Sequence, residues 1–261
     1  MTVDLRELPA TLFTSAAASA RALTAWDAAI RGPRSTAQRI GVMSLSPGAG
    51  GSTLAEQIVR TAAARRSEPV LAVDVSAATT GLGARLGIPV TGIDDTRAVA
   101  RTSSDAQSGL ASGAGWFGLR TDSGHAVDAW LAEAAPITRF FEVSVTDFGV
   151  RHPLVDLAPC AALCDVVVLV ADARRGPAEL ARAAAPAIAA LPEAPRPVLA
   201  LVDHARAGDA VARALATDPY PVVGVPFDAG LRGGSAARTA RARRALLRLS
   251  ATAIGAQAVP A

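Results

Sequence analysis

The residues with the clearest chemistry lie at Ser46-Pro47-Gly48-Ala49-Gly50-Gly51-Ser52-Thr53. They follow an apolar run, Arg39-Ile40-Gly41-Val42-Met43-Ser44-Leu45, that reads as a strand, and lead into a helical pattern from Leu54 to Val59. A strand, a glycine-rich turn and hydroxyl residues at a helix start form a phosphate cradle, in which backbone N–H groups and the helix N-terminus face the anion. The usual pattern, G-x-x-x-x-G-K-[ST], adds a lysine on the β/γ-phosphates and a hydroxyl on Mg²⁺. Laid over it, Gly51 is the second glycine, Thr53 the metal hydroxyl, Ser52 replaces the lysine and Ser46 the first glycine. The whole chain of 261 residues contains no lysine. The cradle is written in the sequence without its cation.

Apolar β-rich runs alternate with helical patterns around this loop: Pro69 to Asp74, Phe140 to Asp147, Asp165 to Val170, Arg196 to Asp203 and Tyr220 to Pro226 are the strands. Such alternation predicts an α/β fold, a doubly wound, mostly parallel sheet with helices on both faces. Ligands of these sheets bind at the carboxyl ends of the strands, where Asp74, Asp147 and Asp203 fall beside the glycine loop. Each acid has two readings, a site residue or a loop cap; Thr53 likewise suits either a metal or a helix N-cap. Residues 102–118, rich in Ser, Gly and Ala, read as a loop with one short strand near Trp116. A helix over roughly residues 12–30, with Leu12, Ala16, Leu23, Trp26 and Ile30 on one stripe, precedes the first strand. Residues 1–38 are therefore expected to be a helical appendage, packed on the domain or on a partner, and 39–261 the sheet domain with a basic C-terminal helix.

Charge is uneven along the chain. From Ala229 onward there are six arginines (232, 238, 241, 243, 244, 248) and no Asp or Glu. A basic tail can meet an acidic partner, anionic lipid or nucleic acid, or form the solvated face of a packed helix. Cys160 and Cys164 read as small buried hydrophobes, and the three histidines are too scattered for a metal site. No leader-like N-terminus and no bilayer-spanning apolar run appears, which predicts a cytoplasmic protein, with a peripheral place at the inner face of the membrane as the alternative.

Four blocks resemble the MinD/ParA group of P-loop ATPases, and within it the EspI-like proteins of actinobacterial type VII (ESX) secretion systems. They are Arg39 to Thr53; Val70 to Asp74 with Gly81-Leu82-Gly83-Ala84-Arg85-Leu86; Val143 to Gly149 with its D-x-G; and Val223-Gly224-Val225-Pro226-Phe227-Asp228-Ala229-Gly230-Leu231. The resemblance spans about residues 38–255. It implies ATP or ADP with Mg²⁺ held by Gly48, Ala49, Gly50, Gly51, Ser52, Thr53, Asp203 and Pro226, the metal by Thr53 and Asp147, and vestigial catalytic acids at Asp74 and Asp147. The departures matter equally: Pro47 stands for the signature lysine, Ser52 for the loop lysine, and Ser76 for a second acid after Asp74. Phosphoryl transfer without these cations loses thousands-fold in rate, of the order of several kcal/mol. Arg151 is the local substitute cation, or else a surface arginine. The resemblance thus implies a degenerate pseudo-ATPase, a scaffold or regulator working with a secretion component or a competent paralogue, with nucleotide held weakly and no ATP-sandwiched homodimer. A slow ATPase for intracellular positioning, completed by a cation in trans, is the alternative.

Overall fold

The computed structural model describes residues 8–33, 36–92, 94–216 and 219–255, with side chains from Ala16 onward. Eight strands form one sheet: β1 (Gln38–Ser44), β2 (Val70–Asp74), β3 (Ala111–Gly113), β4 (Trp116–Arg120), β5 (Val143–Val150), β6 (Val166–Asp172), β7 (Arg196–Val202) and β8 (Val222–Val225). Their order is β3-β4-β2-β5-β1-β6-β7-β8, and only the β3–β4 pair is antiparallel. The helices are α1 (Leu8–Arg31), α2 (Gly51–Ala63), α3 (Leu82–Leu86), α4 (Ser103–Gln107), α5 (Ala126–Ala129), α6 (Ala135–Thr138), α7 (Leu157–Ala161), α8 (Arg175–Ala189), α9 (Ala210–Ala214), α10 (Ala229–Arg232) and α11 (Ala240–Ile254).

Strand alternation divides the core into two layers. Ile40, Val42, Val168 and Val170 point to the layer shared by α1, α2 and α11; Met43, Val167 and Leu169 point to the layer containing α7 and α8. Both faces of the central strands are therefore buried, which is why these runs are continuously apolar. On α11, Ala242, Leu246, Leu249, Ala253 and Ile254 are buried while Arg241, Arg243 and Arg244 are exposed. The arginine-rich pattern belongs to a helix packed on the sheet.

Helix α1 packs on α11, burying Trp26 and Ile30 in the same layer. Leu12 of the expected stripe has its side chain outside the described residues, and Leu23 is exposed. Arg65 holds Asp27 at 3.0 Å, and Arg66 donates to the carbonyls of Ile30 and Gly32 and also pairs with Glu142. Arg66 is buried, so this clamp fixes the exit from α1.

The segment 102–118 is more ordered than its composition predicts. Thr102 and Asp105 form a reciprocal capping box that starts α4, a signal present in Thr102-Ser103-Ser104-Asp105. The hairpin β3–β4 then closes that sheet edge. Its Gly115 has φ 77°, and a β-carbon there would lie 2.6 Å from the carbonyl oxygen of Ala63, so only glycine fits.

Candidate functional site

The chain between β1 and α2 turns through Gly48 and Gly50, whose φ angles of 75° and 100° are left-handed. Gly50 caps α2 without a side-chain bond. The first N–H groups of a helix have no partner inside it. Among the described residues the N–H groups of Gly48, Gly50, Gly51, Ser52 and Thr53 donate to no protein carbonyl, while Ala49 N–H bonds Ser46 at 3.3 Å. The free amides border a cleft of about 650 Å³ at the carboxyl ends of the strands. Its other walls are the β2–α3 loop from Val75, the end of β5, and residues 225–228 after β8.

Of the residues expected to bind, Gly48, Gly50, Gly51, Ser52, Thr53, Asp203 and Pro226 border this cleft. Ala49 lies beneath it, buried, with its carbonyl oxygen 3.2 Å from Nε2 of His204; that bond needs the proton on Nε2. Asp203 accepts the N–H groups of Ala205, Ala207 and Gly208 at 2.9 to 3.1 Å, so its carboxylate is occupied in shaping the loop after β7.

The strand-end acids sit behind the cleft. Strand β5 runs past Asp147 to Val150, and its register sets Asp147 beside both Val42 of β1 and Asp74 of β2. Asp147, placed at a strand end by its sequence, is thus inside a strand and fully buried. Its oxygens accept Leu82 N–H at 3.1 Å and Gly149 N–H at 2.9 Å, and the neighbouring Ser52 hydroxyl favours its ionised form. Burial, with the neighbouring Asp74 charge, pushes its pKa up to about 6 against the pull of those three groups. Asp74 accepts Ser76 N–H at 3.0 Å, the Ser76 hydroxyl at 2.6 Å and Gly83 N–H at 2.7 Å, with Arg120 Nε 4.0 Å away.

Three further observations concern cations. Arg151 donates to the Phe148 carbonyl and to Asp156 at 2.9 Å, so the guanidinium suggested as a substitute is already engaged. Arg85, in the Gly81 to Leu86 block, borders the cleft instead; its Nη1 lies 3.5 Å from Glu56, and its buried Nε has no partner among the described residues. At position 51 a β-carbon would come within 2.2 Å of Ser44 Oγ, so a side chain there requires that hydroxyl to rotate away. Among the described residues no cluster of three His, Cys, Asp or Glu could hold a metal, and none of the helices could cross a membrane. Cys160 and Cys164 are free, buried thiols, and burial raises the pKa of each.

Compared with solved structures, the chain is similar to the cell-division ATPase MinD of Pyrococcus furiosus, at 17% identity over 83% of this chain and 98% of that one, with a TM-score of 0.62. The fold is that of the MinD/ParA ATPases. Further structures with the MinD/ParA fold are McdA of Cyanothece in an ATP complex (13% identity, 86% and 100% coverage, TM-score 0.61) and MinD of Pyrococcus horikoshii with Mg-ADP (16%, 82% and 94%, 0.57). No protein-family model and no curated protein sequence matches the chain. In the MinD/ParA fold as this chain builds it, the loop amides suit an anion, whereas the two buried acids are turned into the protein's own hydrogen bonds.

Proposed function

We propose that this chain is a catalytically degenerate relative of the MinD/ParA ATPases, a regulatory or scaffold component whose phosphate cleft binds nucleotide weakly. One observation carries the reading: the loop that cradles the phosphates contains no cation. The hydroxyl that reaches Asp147 comes from Ser52. In a P-loop the hydroxyl residue directly follows the lysine. Gly51 then occupies the lysine's place, with the Ser44 hydroxyl beside the position of its missing β-carbon. In this register Ser52 takes the metal-hydroxyl role assigned above to Thr53, and the signature-lysine position passes from Pro47 to Ser46. The five free amides, Arg85 and the exposed Arg232 supply attraction for a nucleotide's phosphates, and Pro226 and Phe227 form the opposite wall. Mg²⁺, where bound, would neutralise phosphate charge, with Ser52 as the loop hydroxyl beside the buried Asp147.

The resemblance of the four sequence blocks supports placing such a scaffold with a type VII secretion machine, paired with a protein partner or a competent paralogue. Calorimetric titration with Mg-ATP and Mg-ADP, alongside a phosphate-release assay, tests the reading. Weak binding that falls on Ser52→Ala, without turnover, is expected. Measurable Mg²⁺-dependent turnover by the wild type would overturn it and restore the slow-positioning-ATPase alternative.

A further inference from the structure

A second concavity adjoins the first at Asp203, Val225 and Pro226, where α1 and α11 overhang the free edge of β8; its volume is about 850 Å³. Strand β8 ends the sheet, hydrogen-bonded on one side to β7 and on the other to no strand among the described residues. The carbonyls of Pro221 and Val225 accept from Leu199 and Asp203, which turns the odd-numbered residues of β8 towards β7. A strand's successive peptide groups alternate in direction. The N–H and C=O groups of Val222 and Gly224 therefore face the groove, and no hydrogen bond among the described residues reaches them. All residues from 220 to 226 border the concavity, odd and even alike, so the strand is met edge-on.

The rim is cationic. Arg21, Arg241, Arg244 and Arg248 line it, against Asp203 and Asp209. Asp203 is saturated by three backbone N–H groups, and Asp209 is shared by Arg213 and Arg241 at 2.9 and 3.1 Å. Arg244 donates to the Ser19 hydroxyl and lies over the Trp26 ring, without an acid. Arg21 and Arg248 have no acidic partner among the described residues. Of the devices that limit pairing at an open edge, β8 carries shortness and prolines at its ends, Pro219, Pro221 and Pro226, which leave Val222 and Gly224 between them as the pairing positions. The nearby charges are all of one sign apart from acids already engaged.

We propose that this groove is a docking site for an extended acidic segment of a partner protein, which adds to β8 as a ninth strand and places its carboxylates on Arg21, Arg244 and Arg248. The backbone ladder would supply register and the arginines the selection for acidic residues. The groove meets the nucleotide cleft at Asp203, Val225 and Pro226, but Val222, Gly224 and the four arginines belong to the groove alone. With nucleotide left out of the peptide test, either reading can fail alone.

The test uses the full chain and a fluorescein-labelled peptide of four Val-Glu repeats, with Val-Gln and Val-Lys repeats as controls. Binding is read by anisotropy, and strand addition by amide hydrogen exchange. The Val-Glu peptide should bind at least about tenfold more tightly than either control, because charge complementarity sets partner choice. Exchange at Val222 and Gly224 should slow on binding, and Arg21→Glu with Arg248→Glu should weaken binding by about tenfold or more. Arg21→Gln with Arg248→Gln repeats the test if the charge reversal disturbs folding. Equal affinity for the Val-Gln peptide, binding without protection at Val222 and Gly224, or no binding at millimolar peptide would each overturn the proposal. A DNA duplex or anionic vesicle that displaces the peptide at equal charge concentration would also overturn it.

Discussion

Replacing Asp147 by Asn removes a proton-binding site from the middle of the sheet, and the protein's stability should record the loss as a change in pH dependence. The folded pKa is about 6 and the ordinary value 3.8. The folded state therefore binds this proton more tightly than the unfolded state. The stabilisation is fully present below the unfolded pKa, near pH 4, and is lost as pH rises through about 6. Across the full window the shift of about two units amounts to roughly 3 kcal/mol, and between pH 7.5 and pH 5.0 to roughly 1.5 kcal/mol. Urea denaturation at those two pH values, in EDTA, measures it in the wild type and in Asp147→Asn. Other titrating groups are common to both proteins and cancel in the difference; lost hydrogen bonds to Leu82 and Gly149 add a constant offset. The wild type should gain roughly 1.5 kcal/mol over the variant on acidification, and less in an Asp74→Asn background, where the neighbouring charge is gone. An identical response of both proteins to pH, within about 0.3 kcal/mol, would refute the argument that burial and Asp74 oppose ionisation of Asp147.

Three other changes probe how the site is held. Asp228 is buried and accepts from Gly230, Leu231, Arg238 and Thr239 N–H and from the Thr239 hydroxyl, tying α10 to the start of α11. Burial opposes its ionisation, but these bonds win and hold its carboxyl well below the usual range; this stabilisation is present above about pH 4 and lost as pH falls below it. Asp228→Ala should cost about 3 kcal/mol in urea denaturation at pH 7 by leaving buried donors unpaired. Gly115→Ala must place a methyl against the Ala63 carbonyl at positive φ, so a loss of about 2–3 kcal/mol and a lower melting temperature are expected. Trp26→Ala should destabilise the whole protein by about 3 kcal/mol if α1 shares the core; a change under about 0.5 kcal/mol would instead make α1 a separable attachment.

The parallel strands were legible because their apolar runs are buried on both faces, and the loop because glycine and hydroxyl residues at a strand–helix junction serve few other ends. Residues 102–118 were read mainly as loop since three-residue β3 and one-turn α4 are too short for periodicity to show, although the Thr102–Asp105 box was there to be read. Arg85 and His204 escaped attention because nothing local marks them: one borders the cleft through the packing of α3, the other through a bond to Ala49 across 155 residues. Arg151 and Asp203 looked available, yet each is consumed by hydrogen bonds to its own neighbourhood.

The linear chain by itself determined the order of strands and helices, the glycine turn and the absence of lysine, since composition and the two periodicities are covalent facts. It could not decide which of two adjacent hydroxyls meets Asp147. Successive residues on a helix point about 100° apart, so the angle at which α2 leaves Gly50 selects Ser52 over Thr53. Tertiary packing alone also set Asp74 against Asp147 through the β2–β5 register, and left the edge of β8 open beneath a rim of arginines drawn from two helices more than 200 residues apart.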